Sequence, residues 1–216
     1  SMQIYRGMTV GTAAPTAEEM QGVPHHMIAV ADPAEQWSAA EYVSRATPVV
    51  DDILARGRLP VIVGGTGLWM DTLLRGHGFA KGSAGGAVRR ELETRFEQEG
   101  IEPLLAELRQ VDPDSAVRLH PADTKRILRA LEVYRETGKT ISAHNAETRD
   151  LPPRYDAVWI GLQFRDRADM KTLIDRRVDA MVAAGLLEEV GQLLESGPPR
   201  EATALQAIGY KEFFPY

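Results

Sequence analysis

Gly57-Arg58-Leu59-Pro60-Val61-Ile62-Val63-Gly64-Gly65-Thr66-Gly67-Leu68-Trp69 reads as a buried strand that runs into a glycine turn and then opens a helix. The apolar run 59–63 is continuous and branched rather than alternating, the pattern of a strand covered on both faces. Pro60 stands at its beginning, where a strand tolerates a missing N–H. A second run of the same kind is Ala157-Val158-Trp159-Ile160-Gly161-Leu162. Between the two, from Gly86 to Asn145, every periodic signal is helical. Apolar strands on either side of a purely helical block predict an α/β fold: a parallel sheet core over 1–85 and 146–216, and an all-helical insertion over 86–145. Two strands cannot cover their own faces, so the rest of the sheet is expected on the N-terminal side.

The helices carry clear signals. Ser38-Ala39-Ala40-Glu41 is a capping box, and Val43, Val50, Ile53 and Leu54 follow it as an apolar stripe that Gly57 ends. Pro48 inside that stripe predicts a kink or a split. Thr16-Ala17-Glu18-Glu19 is a second capping box. Val88, Leu92 and Phe96 mark one helix of the insertion, Leu104, Leu105, Leu108 and Val111 another. Asp123 is expected to cap a third, with Ile127, Leu131 and Tyr134 on its apolar face and Gly138 at its end. One long last helix is expected to pass Ile174, Val178, Met181 and Val182 and continue through Gly185 to Leu194. Trp37, Trp69 and Trp159 all stand in apolar surroundings, as core residues do.

Composition bounds the function. The chain has 216 residues, 44% of them hydrophobic, enough for a sizeable core. It has no cysteine, which excludes disulfides, zinc fingers and thiol nucleophiles. No apolar run approaches the roughly 20 residues of a membrane helix, and the first residues carry no signal pattern. A soluble, cytoplasmic protein is expected. The net charge of −6 weighs mildly against a nucleic-acid partner, although net charge does not report a local basic patch.

Few residues stand out as chemistry. Gly64-Gly65-Thr66-Gly67 presents backbone N–H groups at a helix start, a natural anion site, and equally an ordinary strand-to-helix turn. No Gly-Lys-Ser/Thr follows, so it is not a Walker loop. Lys125, Arg129, Glu132 and Glu136 form one polar stripe with Arg126 on its border. These cations suit a phosphate clamp, or a solvated helix face. His25 and His26 lack further ligands at workable spacing, so no metal ligand is assigned.

Six blocks in order add a resemblance that spans essentially the whole chain. SMQIYRGMTVGTAAPT (1–16), VPHHMI (23–28), GRLPVIVGGTGLW (57–69), HPADTKRILRALEVYRETGK (120–139), RRVDAMVAAGLLEEV (176–190) and QAIGYKEF (206–213) resemble the signature blocks of bacterial tRNA dimethylallyltransferases, also called tRNA isopentenyltransferases. The resemblance implies a P-loop-kinase-like core whose helical insertion grips the anticodon stem-loop. It implies transfer of a dimethylallyl group from its diphosphate to the exocyclic amine of a flipped-out adenine beside the anticodon, with Mg2+ assisting the diphosphate.

By the same resemblance, Ser1, Met2 and Gln3 match the end of an Asp-Ser-Met-Gln block, with Gln3 bonded to the adenine. Thr66 matches a channel threonine close to the transferred group. Arg177 is expected near the diphosphate, which makes Thr66 and Arg177 the catalytic candidates. Lys125, Arg126, Ile127, Leu128 and Arg129 match a stretch that contacts tRNA, and Arg89 is a further candidate there. The partners implied are a tRNA anticodon stem-loop and dimethylallyl diphosphate, with no membrane and a monomeric chain. Trp69, Ala122 and Leu173 depart from the family's usual tyrosine, asparagine and arginine. The resemblance further implies a partial sequence, without the N-terminal strand, glycine-rich phosphate loop, preceding aspartate and basic C-terminal helix of the family, so that these 216 residues alone are expected to be inactive. Three competing readings remain: prenylation of free adenine nucleotides, a P-loop-type small-molecule kinase, and a fragment that only binds tRNA.

Overall fold

In a computed structural model, the structure describes residues 1–76, 86–149 and 151–213. The chain divides into two compact units, one made of Ser1–Leu73 with Asp156–Tyr216, the other of Leu74–Tyr155. The expected boundary at residue 85 lies outside the described residues.

The first unit opens with a short 3-10 turn, Met2–Ile4. Arg6 N–H donates to Ala31 O, and Ala29 and Val30 N–H donate to Gln3 and Ile4 O, so residues 3–6 lie beside 29–31. One isolated parallel bridge, Tyr5 with Ala31, is the sole ladder pairing among the described residues. Thr16 and Glu19 satisfy each other's backbone N–H as the capping box requires, yet the segment makes only turns. Helix α1 (Ala39–Ala55) starts at Ser38, whose hydroxyl accepts from Glu41 N–H, and it is not split at Pro48. The Glu41 carboxylate does not reach back to the cap; it pairs with Arg45 one turn on. Gly57, with φ at 65°, turns the chain out of the helix.

The parallel sheet core is the expectation that the structure overturns. Residues 59–63 and 157–162 join no ladder, and most of their apolar side chains are exposed: Leu59 84%, Val63 89%, Val158 92% and Leu162 97%. Even Trp159 is exposed, against the core placement expected for it. An apolar run encodes a demand for burial but not the strand that meets it. A strand persists only when a neighbour takes its backbone N–H and C=O groups, and among the described residues neither run has a ladder partner. The order is otherwise as read, for Gly64-Gly65-Thr66 leads directly into α2 (Gly67–Arg75).

The second unit is helical. Its helices are α3 (Ala87–Glu99), α4 (Ile101–Val111), α5 (Pro113–Arg118), α6 (Thr124–Thr137) and α7 (Ile141–Arg149). Leu92, Leu104, Leu108, Ile127 and Leu131, from the expected stripes, form its core. Asp112 caps α5 by accepting from Ser115 N–H and Oγ, and it also takes Ser142 N–H at the start of α7. Gly138 ends α6 in the left-handed conformation. Arg135 on α6 donates to Glu91 on α3 and Glu107 on α4, a three-helix clasp over the core.

Back in the first unit, the expected long last helix is two. Helix α8 (Arg167–Ala183) stops at Ala184, Gly185 takes φ at 95°, and α9 (Leu186–Glu195) begins. No residue of α8 is buried. Leu186, Val190 and Leu193 on α9 pack with Ile4, Met8 and Tyr210 in the core of this unit. Short 3-10 turns at Thr203–Gln206 and Lys211–Phe213 close it.

Candidate functional site

The residues from Ser1 to Gln3 meet the glycine turn. Thr66 Oγ1 donates to Ser1 Oγ at 3.0 Å, so two residues that stand 65 apart in sequence share one hydrogen bond. Thr66 is half-buried on the residue that precedes α2, and its carbonyl accepts from Trp69 and Met70 N–H. Trp69 in turn stacks on Tyr42 of α1, with ring centroids 4.6 Å apart, which ties the first turn of α2 to α1. Met2 packs at the margin of the unit's core.

Gln3 is held more firmly than its neighbours. Its side-chain Nε2 donates to Thr12 O at 3.1 Å and to Ala13 O at 2.9 Å. Two carbonyls on one side of an amide select its NH2 end. The Oε1 end accepts no bond from the described residues and is left to a donor. An exocyclic amine is such a donor, whereas a carbonyl at the same place on a base would be repelled. The backbone around Gln3 is strained, since Ala13 (φ 48°) and Ala29 (φ 50°), both of which bond to Gln3, sit in the left-handed region that alanine avoids. Strain of this kind persists only where the surroundings over-determine it, and it concentrates at functional sites.

The loop that supplies those carbonyls is itself fastened to α9. Glu189 is buried, and its carboxylate accepts from Thr9 N–H, Thr9 Oγ1 and Val10 N–H at 2.8 Å each, from Gly11 N–H at 3.0 Å, and from the Tyr210 hydroxyl. Burial alone would raise this carboxyl's pKa, but the Gly11, Tyr210, Val10 and Thr9 donors outweigh it and hold the group below its ordinary range. Burial, then the bonded Glu189 carboxylate, push the Tyr210 phenol well above its usual range. Gly11 permits this closeness, for a Cβ there would stand 2.5 Å from Tyr210 Cε2. Neither Glu189 nor Tyr210 was singled out from sequence. The available signal was spacing: Glu189 follows Leu186 by three and precedes Leu193 by four, which places it on the apolar face of α9.

Arg177, the other catalytic candidate, lies on exposed α8 and makes no ion pair among the described residues. The remaining candidates belong to the second unit. Lys125 and Arg126 are exposed on the first turn of α6, with Arg126 3.6 Å from Asp123. Arg89 on α3 pairs with Glu93. Ile127 (0% exposed) and Leu128 (2%) are core residues of that unit, so they support the α6 surface from beneath. Arg129 donates to Glu132 at 2.8 Å, and Glu132 is only 1% exposed, not the solvated residue that its polar stripe suggested.

That pair sets apart two kinds of arginine on α6. Arg129→Ala is expected to destabilise the second unit by about 1–3 kcal/mol, because it takes a hydrogen-bond donor from a buried carboxylate. Arg126→Ala should change stability by less than about 0.5 kcal/mol. Denaturant unfolding of both variants checks this, and equal stability of the two would place Arg129 on the solvated face after all.

Among the described residues no group of three or more His, Asp or Glu side chains converges as metal ligands. Among the described residues, no helix is long and apolar enough to cross a membrane.

Residues 3–216 match the family model described as IPP transferase. The tRNA dimethylallyltransferase of Symbiobacterium thermophilum is 49% identical over the whole of this chain, which spans 67% of that protein. The counterpart in Geobacillus thermodenitrificans is 44% identical, and the chain spans 68% of it. Among solved structures, the full-length tRNA isopentenylpyrophosphate transferase of Bacillus halodurans aligns over all of this chain and 66% of its own, with 40% identity and a TM-score of 0.64. A eukaryotic dimethylallyltransferase acting on tRNA aligns over all of this chain and 55% of its own, with 28% identity and a TM-score of 0.81.

Proposed function

This chain belongs to the IPP transferase family, and from that premise we propose that it serves the transfer of a dimethylallyl group from dimethylallyl diphosphate to the exocyclic amine of the adenine adjacent to the anticodon in tRNA. The observation that carries the reading is the Gln3 amide, whose NH2 end is spent on Thr12 and Ala13 and whose oxygen is left for an amine N–H.

In the reaction a bond forms between the amine nitrogen and the allylic carbon, the carbon–oxygen bond breaks with its electron pair leaving on the diphosphate, and the amine's proton passes to the departing diphosphate or to water. Gln3 Oε1 accepts one amine hydrogen and so fixes the direction in which the nitrogen lone pair points, a positioning effect. Thr66, bonded to Ser1, lines the place where the allylic group meets that nitrogen. The Arg177 cation offsets charge that gathers on the departing diphosphate. Magnesium enters this proposal only as a companion of the diphosphate.

The second unit supplies the tRNA grip in this proposal, through Lys125, Arg126 and Arg89 around α6 and α3, with Arg129 beside them. The whole is proposed to act as a cytoplasmic monomer. Arg126→Ala is expected to weaken binding of an anticodon stem-loop and to lower the salt slope of log affinity by about 0.9 for each phosphate that is no longer neutralised; an unchanged slope would remove Arg126 from the interface.

The test of the activity offers labelled dimethylallyl diphosphate to the full-length protein with an anticodon stem-loop or with free AMP. Label on the stem-loop alone supports the tRNA reading. Label on AMP makes this a nucleotide prenyltransferase, and label on neither removes the transfer reaction.

A further inference from the structure

The best-connected buried group of the first unit is not one of the residues expected to touch substrate. Glu189 on α9 gathers five donors from two distant places in the chain: the loop at Thr9–Gly11, and Tyr210 beyond the second 3-10 turn. The loop it fastens continues directly into Thr12 and Ala13. Thr12 Oγ1 donates to Met8 O, and Ala13 and Ala14 N–H donate back to Val10 and Thr9 O, so the turn is a single closed piece. Its two outward carbonyls are the ones that hold Gln3.

We propose that Glu189, with Tyr210, is a positioning pair that sets the Gln3 amide by fixing the Thr9–Ala13 turn; this rests on the reading of Gln3 given under the proposed function. The geometry has few other ways to orient that amide. Without the turn, Gln3 loses both acceptors of its NH2 group, and the amide rotates between two nearly equivalent ends, one of which would present N–H to an incoming amine. A carboxylate suits this task because it accepts at both oxygens. Oε2 takes Thr9 and Val10, and Oε1 takes Gly11 and Tyr210. A glutamine here would turn an NH2 toward donors. Tyr210 adds a wall: its ring stands where a Gly11 Cβ would be, so the turn cannot shift toward it.

The pair acts through Gln3, and a double-mutant cycle separates that from a general effect on folding. Tyr210→Phe keeps the ring against Gly11 and removes one donor from Glu189. In the full-length protein this change is expected to lower kcat/KM for a stem-loop about tenfold, the scale of one lost charged hydrogen bond. In a Gln3→Ala background the same change should have almost no further effect. Thr9→Val, which removes a different donor from the same carboxylate, should behave alike with a smaller disturbance of the fold. Equal losses in both backgrounds would overturn the proposal.

A second readout does not depend on the substrate. The side-chain amide 15N–1H signals of Gln3 should shift and broaden in Tyr210→Phe, while amide signals of α3–α6 stay in place. Gln3 signals unchanged from wild type would also overturn it. If the wild-type protein modifies no stem-loop, the transfer reading fails, and the Gln3 signals alone decide whether Glu189 and Tyr210 set that amide.

Discussion

Replacing Glu189 with leucine is expected to cost the first unit on the order of 3–5 kcal/mol, the largest stability loss of any single change considered for this chain. Leucine matches the apolar face of α9, so nothing is lost in packing against Val190 and Leu193. What is lost is the acceptor for Thr9, Val10 and Gly11 N–H and for two hydroxyls. Buried donors left unmet cost far more than an average hydrogen bond contributes.

The same network makes a pH prediction. Its donors hold the Glu189 carboxyl below its ordinary 4.5 in the folded chain. The charged form is therefore favoured by folding, and its contribution is complete above pH 4.5. It shrinks as pH falls from there through the lower folded-state pKa. The stability gap between wild type and Glu189→Gln should narrow over that acid window and stay constant at neutral pH. Denaturant unfolding across the range measures it. A leucine variant within about 1 kcal/mol of wild type, or a gap indifferent to acid, would contradict the role given to this carboxylate.

Gln3→Leu is expected to lower kcat/KM for the stem-loop by on the order of 10²-fold, as removal of a single preorganised polar group at a reacting centre commonly does. Leucine has nearly the same shape and cannot accept from an amine. Gln3→Glu is the sharper change. It keeps an acceptor for the amine but sets a carboxylate oxygen against the carbonyls of Thr12 and Ala13, now 3.1 and 2.9 Å from the amide nitrogen. Gln3→Glu should fail as badly as Gln3→Leu, because the pinned NH2 end matters as much as the free oxygen. Steady-state kinetics of both variants decide it. A Gln3→Glu variant near wild-type activity would mean that the two carbonyls do not set the amide.

What could be read from the sequence follows the range of the forces involved. The helices of the second unit were legible because their information is local. Leu104, Leu105 and Leu108 repeat on one face, and Gly138 supplies the left-handed stop. The break between α8 and α9 was missed because leucines continue on the far side of Gly185, and periodicity outvoted one glycine. The sheet failed for a different reason. Val61 and Val63 state that they favour burial, but strand pairing is a property of two segments, and the second is not written in the first. Charged residues misled in the same way. Glu132 reads as part of a polar stripe and is buried beside Arg129, and Glu189, which spacing places on the apolar face of α9, is buried against donors that spacing alone does not disclose. At the site, Ser1, Gln3 and Thr66 were legible only through resemblance, since no local pattern says that Thr66 bonds to Ser1. That Glu189 and Tyr210 fasten the Thr9–Gly11 turn needed the fold.

The most direct test of the central claim identifies the product. Full-length protein would be incubated with dimethylallyl diphosphate and an anticodon stem-loop, and the digested RNA assayed by mass spectrometry for the modified nucleoside and its position. The expected product carries one added dimethylallyl group on the exocyclic nitrogen of the adenine beside the anticodon, and Gln3→Leu should lose it. Modification at another position, or of the same adenine at full rate in Gln3→Leu, would contradict the claim.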